Sequence, residues 1–294
     1  MDTGINSMTG FGRGEASDGA RKITVEIGSV NRKQFDCNVA LPRELAVLDG
    51  KLQSLIHSRI SRGYIKGAVV VSAVEGGTSE PDLSQLRPQI SAIRAAANAL
   101  NLRDDLTAAS LLAFPDALKT CLLAGGAEDI WPLLEEALSA ALDRLTAMRR
   151  TEGENLKCDL LSRLDALRRI KEEIAARAPS IPLRYRETLE KRLTALLPPE
   201  NPVAPELLAR EVAVFADRCD ISEELTRLDS HFQQADKIFK DGGACGRTLD
   251  FLCQEMFREI NTTGSKANDA EIARLVIAFK TGLEAVREQV QNIE

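Results

Sequence analysis

Aromatic residues are scarce in this chain: they make up 4% of 294 residues, with one Trp and two Tyr. Histidine is scarcer, at two residues, His57 and His231. The six cysteines, at positions 37, 121, 158, 219, 245 and 253, form no C-x-x-C pair. These shortages exclude a zinc site of ordinary spacing, and the thiols are expected to be reduced. No apolar run approaches the roughly 20 residues that a membrane-spanning helix needs. Residues 1–20 lack a basic head followed by an apolar stretch, so no secretory signal is expected; the chain reads as cytoplasmic, with no membrane partner. An excess of positive charge is missing too. The net charge of −6 argues against a simple polybasic nucleic-acid binder, and DNA is not an expected partner.

What is present leans toward helix, with many Ala, Leu, Glu and Arg and 44% apolar residues. The length suits about two domains with room for a core. Charge is unevenly placed: residues 205–294 hold 17 acidic against 11 basic side chains, whereas residues 1–67 hold 7 against 10. A mildly basic front and an acidic back leave room for an enzyme that approaches phosphates through a carboxylate-held cation.

Alternation of Ile23, Val25 and Ile27 over Arg21–Ile27 predicts a strand, as does Phe35–Leu41, which stops at Pro42. Leu45, Leu48, Leu52, Leu55, Ile56 and Ile60 recur at helical spacing up to Gly63, and the β-branched Tyr64–Val74 predicts a further strand. The front therefore reads as β-β-α-β. Gly76–Leu86 is polar and turn-rich, as expected of a linker. Beyond it the periodicity is helical, with helices expected near 133–177, 183–197, 205–240, 247–263 and 268–292. The expected fold is α+β: a small N-terminal module at 6–75, a long-helix middle region at 76–200 and a helical C-terminal domain at 201–294.

Three segments carry candidate chemistry. The glycines of Ser7–Gly14 (SMTGFGRG) either bring backbone N–H groups close to phosphate oxygens or belong to a Gly-rich turn or edge strand. Ser29–Lys33 (SVNRK) offers Arg32 and Lys33 at a turn, a solvated hairpin tip or a phosphate contact. In Arg210–His231, on a continuous helix, Asp217, Asp220, Glu224 and His231 fall within an arc of roughly 60°. Such donors suit a hard divalent cation, and His231 alternatively serves as acid or base. The plainer reading is a solvated face with intrahelical pairs such as Glu223–Arg227. In the segment 247–271, Glu255 and Glu259 lie one turn apart beside Leu252, Met256 and Ile260. Asn268 and Glu271 have the spacing of a capping box, while Asn261, Lys266 and Asn268 together suit a phosphate at a helix N-terminus.

These segments resemble the YicC-like family of bacterial proteins. The resemblance lies in SMTGFGRG, VEI-x-SVN and SRG at the front. At the back it lies in ADRCDISEELTRL-x-SH, GR-x-LDFL-x-QEM, REIN, GSKANDAEI and VREQVQNIE. It implies an endoribonuclease acting on single-stranded RNA, small regulatory RNAs included, with a divalent cation and a ring-like hexamer. The chain departs from the family's usual residues at Gly28, Arg32 and Phe257, where Arg, His and Asn are more common.

The resulting expectation is metal-assisted phosphodiester hydrolysis with Mg²⁺ or Mn²⁺. Glu224, His231, Glu255 and Glu259 are the catalytic candidates, and Asp217 and Asp220 are further metal ligands. RNA phosphates are expected on Arg13, Arg32, Lys33 and Arg62 of the front, and on Arg210, Arg218, Arg247 and Lys266 of the back. Two alternatives stand beside it: attack by the ribose 2′-OH with His231 as base, and a non-catalytic RNA-binding adaptor whose acidic helices form an assembly interface. Either way a homo-oligomer is expected.

Overall fold

The computed structural model describes residues 4–19, 21–32, 34–74, 83–113, 126–197, 204–243 and 245–294. Lys33, Cys121 and most of the expected linker lie outside these residues. The fold is α+β, a four-stranded sheet near the front followed by long helices. Two compact units emerge, Met8–Arg149 and a second made of Met1–Ser7 with Arg150–Glu294. The division falls inside a helix, not at the polar segment after residue 75, and so differs from the expected three-way partition.

In the first unit the strands are β1 (Gly10–Ser17), β2 (Arg21–Val30), β3 (Asp36–Ala40) and β4 (Tyr64–Ala73), in the order β1-β2-β4-β3. β1 and β4 run antiparallel to β2, while β3 is parallel to β4. A parallel neighbour needs a crossover, supplied by a 3₁₀ turn over Arg43–Leu48 and α1 (Asp49–Arg59). The inward residues Ile23, Val25, Ile27, Ile65 and Val69 pack with Leu45, Leu48, Leu52 and Ile56. The first turns of α3 (Ala127–Arg177) close this core with Leu134, Leu138, Ala141 and Leu145. A further helix, α2 (Leu83–Ala99), lies between β4 and α3 in the chain.

β1 was not expected as a definite strand, and it settles the reading of SMTGFGRG. Gly10, Gly12 and Gly14 take alternate positions on its inner side, against α3. A Cβ on Gly12 would stand 2.0 Å from the Ala141 carbonyl oxygen, and one on Gly14 1.9 Å from that of Ala137. Contacts that short are impossible, so these glycines let an edge strand lie directly on a helix backbone. Their expected role at a phosphate gives way to this packing role.

The second unit comprises the rest of α3 with α4 (Ser180–Leu196), α5 (Pro205–Cys219), α6 (Ser222–Asp241), α7 (Gly246–Lys266) and α8 (Ala270–Val290). Its core joins Leu160, Leu164 and Leu167 of α3 to the apolar stripes of the last three helices, among them Phe232, Phe239, Leu252, Met256, Phe279 and Leu283. The N-terminal segment ties to the chain end: Asn6 and Glu294 exchange backbone hydrogen bonds of 3.1 and 2.8 Å. The helix expected over 205–240 is two helices. Asp220 is extended, with ψ 122°, and its Oδ1 accepts the Ser222 N–H at 2.9 Å. A side chain that bonds the backbone locally competes with the helical ladder, and Cys219 and Ile221 anchor the corner by burial.

Candidate active site

The break at Asp220 rearranges the expected acidic face. Asp217 remains exposed on α5 and Asp220 sits in the connection, whereas Glu224 and His231 share one face of α6. The Asp220 carboxyl is held below the ordinary Asp range, chiefly by the Ser222 N–H. Asp217 and Asp220 therefore do not belong to the same helical arc as Glu224.

The apolar stripes of α6 and α7 bring their polar edges together. Glu224, 5% exposed in the first turn of α6, accepts a hydrogen bond from Lys266 Nζ at 2.6 Å through Oε1. The Lys266 ammonium, held at the last turn of α7, is raised above the usual Lys range by that bond. Next along the seam, Arg227 Nη1 lies 3.4 Å from Oε1 of Glu259, which is 8% exposed, and also bonds Glu223. Glu255, one turn before Glu259 on α7, takes a 2.6 Å bond from Arg258 of its own helix. The expected Glu223–Arg227 pair exists, but Arg227 reaches across to a second helix as well.

Two polar atoms of this seam are buried without a partner among the described residues: Glu224 Oε2 and His231 Nδ1. Leaving such atoms unpaired costs about 1–3 kcal/mol each. One is a bare acceptor and the other a ring nitrogen able to accept or donate.

The six-residue ligand set expected from sequence is not gathered: among the described residues no group of three or more His, Cys, Asp and Glu is placed to hold a metal ion. A hard cation of the Mg²⁺ type is nevertheless bound through one or two carboxylates, with waters and substrate phosphates completing the shell. The free oxygen of Glu224 fits that demand, with Glu259 one step along the seam. Burial pushes the Cys37 thiol up to about 11 and the Cys253 thiol up to about 12, so neither suits a nucleophile's role.

The expected phosphate-binding cations are dispersed. Arg210 and Arg218 are exposed on α5. Arg247 opens α7 and Lys266 closes it, which puts them about 28 Å apart at 1.5 Å per residue. In the sheet unit Arg13 is engaged by Glu15 and Glu26, Arg32 pairs with Asp36, and Arg62 Nε meets the Arg32 carbonyl at 3.4 Å.

A neighbouring cluster escaped the sequence reading. Asp269, not Asn268, caps α8, accepting the N–H groups of Glu271 and Ile272 at 3.0 Å each. Arg177 Nε bonds the same carboxylate at 2.7 Å, and Asn268 is left-handed with φ 45°. The Asp269 carboxyl is accordingly held low, first by Arg177. An Asp directly before a helical run is the signal that marks such a cap.

Comparison with known proteins matches this arrangement to one family along nearly the whole chain. Residues 5–158 match the family model described as "Endoribonuclease YicC-like, N-terminal region", and residues 174–294 match "Endoribonuclease YicC-like, C-terminal". A protein of Clostridioides difficile strain 630 named "Probable endoribonuclease YicC" is 38% identical over 98% of this chain and 99% of its own length. One of the same name from Haemophilus influenzae Rd is 30% identical over 99% of this chain and 100% of its own. Both halves of the molecule, the sheet with its glycine strand and the helices that carry the acidic seam, are thus matched in order, and the chain belongs to the YicC-like family.

Proposed function

We propose that this chain is an endoribonuclease that cleaves single-stranded RNA, small regulatory RNAs among its substrates, at the seam between α6 and α7. The observation that carries the reading is Glu224: a buried carboxylate with one oxygen on Lys266 and the other bare. The names of the two relatives, probable endoribonucleases, support the same chemistry. Lys266 and Arg227 are the groups that meet phosphate oxygens, since both carry donors beyond those used on Glu224 and Glu259. Glu224, with Glu259, would hold a divalent cation, Mg²⁺ or Mn²⁺; when bound, such an ion supplies charge neutralisation at the scissile phosphate and an activated water. His231, with Nδ1 unpartnered, moves a proton to or from the reacting oxygens, and Glu255, one turn from Glu259, adds a further carboxylate to the site. Arg210, Arg218 and Arg247 hold flanking phosphates. The enzyme acts in the cytoplasm as a homo-oligomer, a hexamer.

One observation favours a second reading. The unpartnered Nδ1 of His231 suits a base that deprotonates the ribose 2′-OH, with Lys266 stabilising the charged phosphorane and no ion required. Cleavage of a single-stranded RNA with and without EDTA, followed by end-group analysis, separates the two. Hydrolysis assisted by an ion stops in EDTA, returns with Mn²⁺ or Mg²⁺ and leaves no cyclic end. Cleavage that persists in EDTA and leaves a 2′,3′-cyclic phosphate assigns the reaction to the 2′-OH. Binding without cleavage under any condition leaves the adaptor reading.

A further inference from the structure

The sheet has a second face. β2 buries Ile23, Val25, Ile27 and Ser29 on one side, and the residues between them point to the other. That outward side is open among the described residues: Phe11 is 51% exposed and Val70 57%. An exposed Phe on a strand is notable in a chain with 4% aromatics.

The register sets Phe11 beside Gly28, Gly28 beside Lys66, and Val30 beside Tyr64 in the next row. With strands about 4.8 Å apart, the side chains of Phe11 and Lys66 flank a bare stretch of backbone about 10 Å wide. The fold does not demand glycine there. A Cβ on Gly28 would meet nothing nearer than the Gly10 carbonyl oxygen at 3.6 Å, unlike the blocked positions of Gly12 and Gly14. The gap is a property of the surface, walled by one ring and floored by backbone.

Charge separates the two ends of this face. Toward Ser17, Arg13 and Lys22 are neutralised by Glu15 and Glu26. Toward the β2–β3 turn, Lys66 and Arg62 have no carboxylate partner among the described residues, and Arg32 pairs with Asp36 while lying 5.5 Å over the Tyr64 ring. This end is net positive in a chain of net charge −6. A ring beside an open seat, a second ring in the next row and cations at the margin match a strand of unpaired nucleotides, whose bases have faces and whose backbone is anionic.

We infer that the outward face of the sheet, at Phe11, Gly28, Tyr64 and Lys66, is a docking surface on which unpaired bases of single-stranded RNA stack while Arg32 and Arg62 hold the backbone. The inference rests on the endoribonuclease reading and adds to it a contact with bases, in the unit that does not carry the acidic seam.

Fluorescence anisotropy with an adenine oligoribonucleotide of about 12 nucleotides, in EDTA, tests it. Phe11→Ala and Tyr64→Ala are expected to weaken binding by about tenfold each, Phe11→Trp to retain it, and an abasic strand to bind the parent and Phe11→Ala alike. Circular dichroism and light scattering on each variant check fold and mass. Parent affinity in Phe11→Ala overturns the inference while leaving the endoribonuclease reading intact if the parent cleaves RNA. A lowered oligomer mass with unchanged RNA affinity also overturns it, by assigning the face to a second copy of the chain. A parent that neither binds nor cleaves single-stranded RNA sinks both.

Discussion

Asp269 stands between two demands, the open N–H groups at the start of α8 and the guanidinium of Arg177. Both favour the carboxylate, so its pKa in the folded chain lies below the unfolded value. A group shifted in that direction stabilises the fold above its unfolded pKa and loses the contribution as pH falls through the folded one. Asp269→Ala is therefore expected to cost about 1–2 kcal/mol in urea unfolding at pH 7. The deficit should shrink as pH drops below about 4. A deficit independent of pH would contradict the account. Sequence spacing put the cap one residue early, at Asn268, because Asn268–Glu271 has capping-box spacing. A shift of one residue leaves the apolar periodicity of α8 unchanged, so periodicity could not correct it. Glu224 and Glu259 were legible as the inner edge of two amphipathic helices. Their cationic partners Lys266 and Arg227 were visible only as residue types, since a pairing across helices depends on how the two stripes dock.

At the scale of elements, the parts with a clean period were readable: β2 from its isoleucines and valine, β4 from its β-branched run, α3 from leucines every three or four residues. β1 was hidden because its inward positions are glycines, so the alternation of large apolar side chains that marks a strand is absent. The α5–α6 corner was hidden for a related reason. Cys219-Asp220-Ile221-Ser222 contains neither Gly nor Pro, and the break comes from a local side-chain bond to backbone. The packing role of the β1 glycines gives a direct test. Gly12→Ala should lower unfolding free energy by about 1–3 kcal/mol or more, because the methyl meets the helix backbone at Ala141 and Leu145, which has no side-chain end to move aside. Gly28→Ala, whose methyl meets only the Gly10 carbonyl oxygen at an ordinary 3.6 Å, should stay within about 0.5 kcal/mol of the parent. Equal effects at both positions would remove the packing explanation.

For the whole molecule, the sheet unit presents an open face with a basic end and the helical unit an acidic seam. Among the described residues no helix is long and apolar enough to cross a membrane. On α4 and α5, Leu183, Leu196 and Leu207 are 63%, 80% and 62% exposed, apolar surface available for burial in the proposed homo-oligomer. Light scattering at micromolar concentration should give a mass several times that of one chain, and a monomeric mass would rule the proposed assembly out. The central claim, that cleavage takes place at the seam of α6 and α7, is tested most directly by timing the cleavage of single-stranded RNA by the parent, Glu224→Gln and Glu259→Gln with Mg²⁺ or Mn²⁺ present. Each replacement keeps the shape of the side chain and removes its charge. The account predicts that both variants lose cleavage by about a hundredfold or more while RNA affinity and oligomer mass stay close to the parent's. Cleavage by both at the parent rate would contradict it.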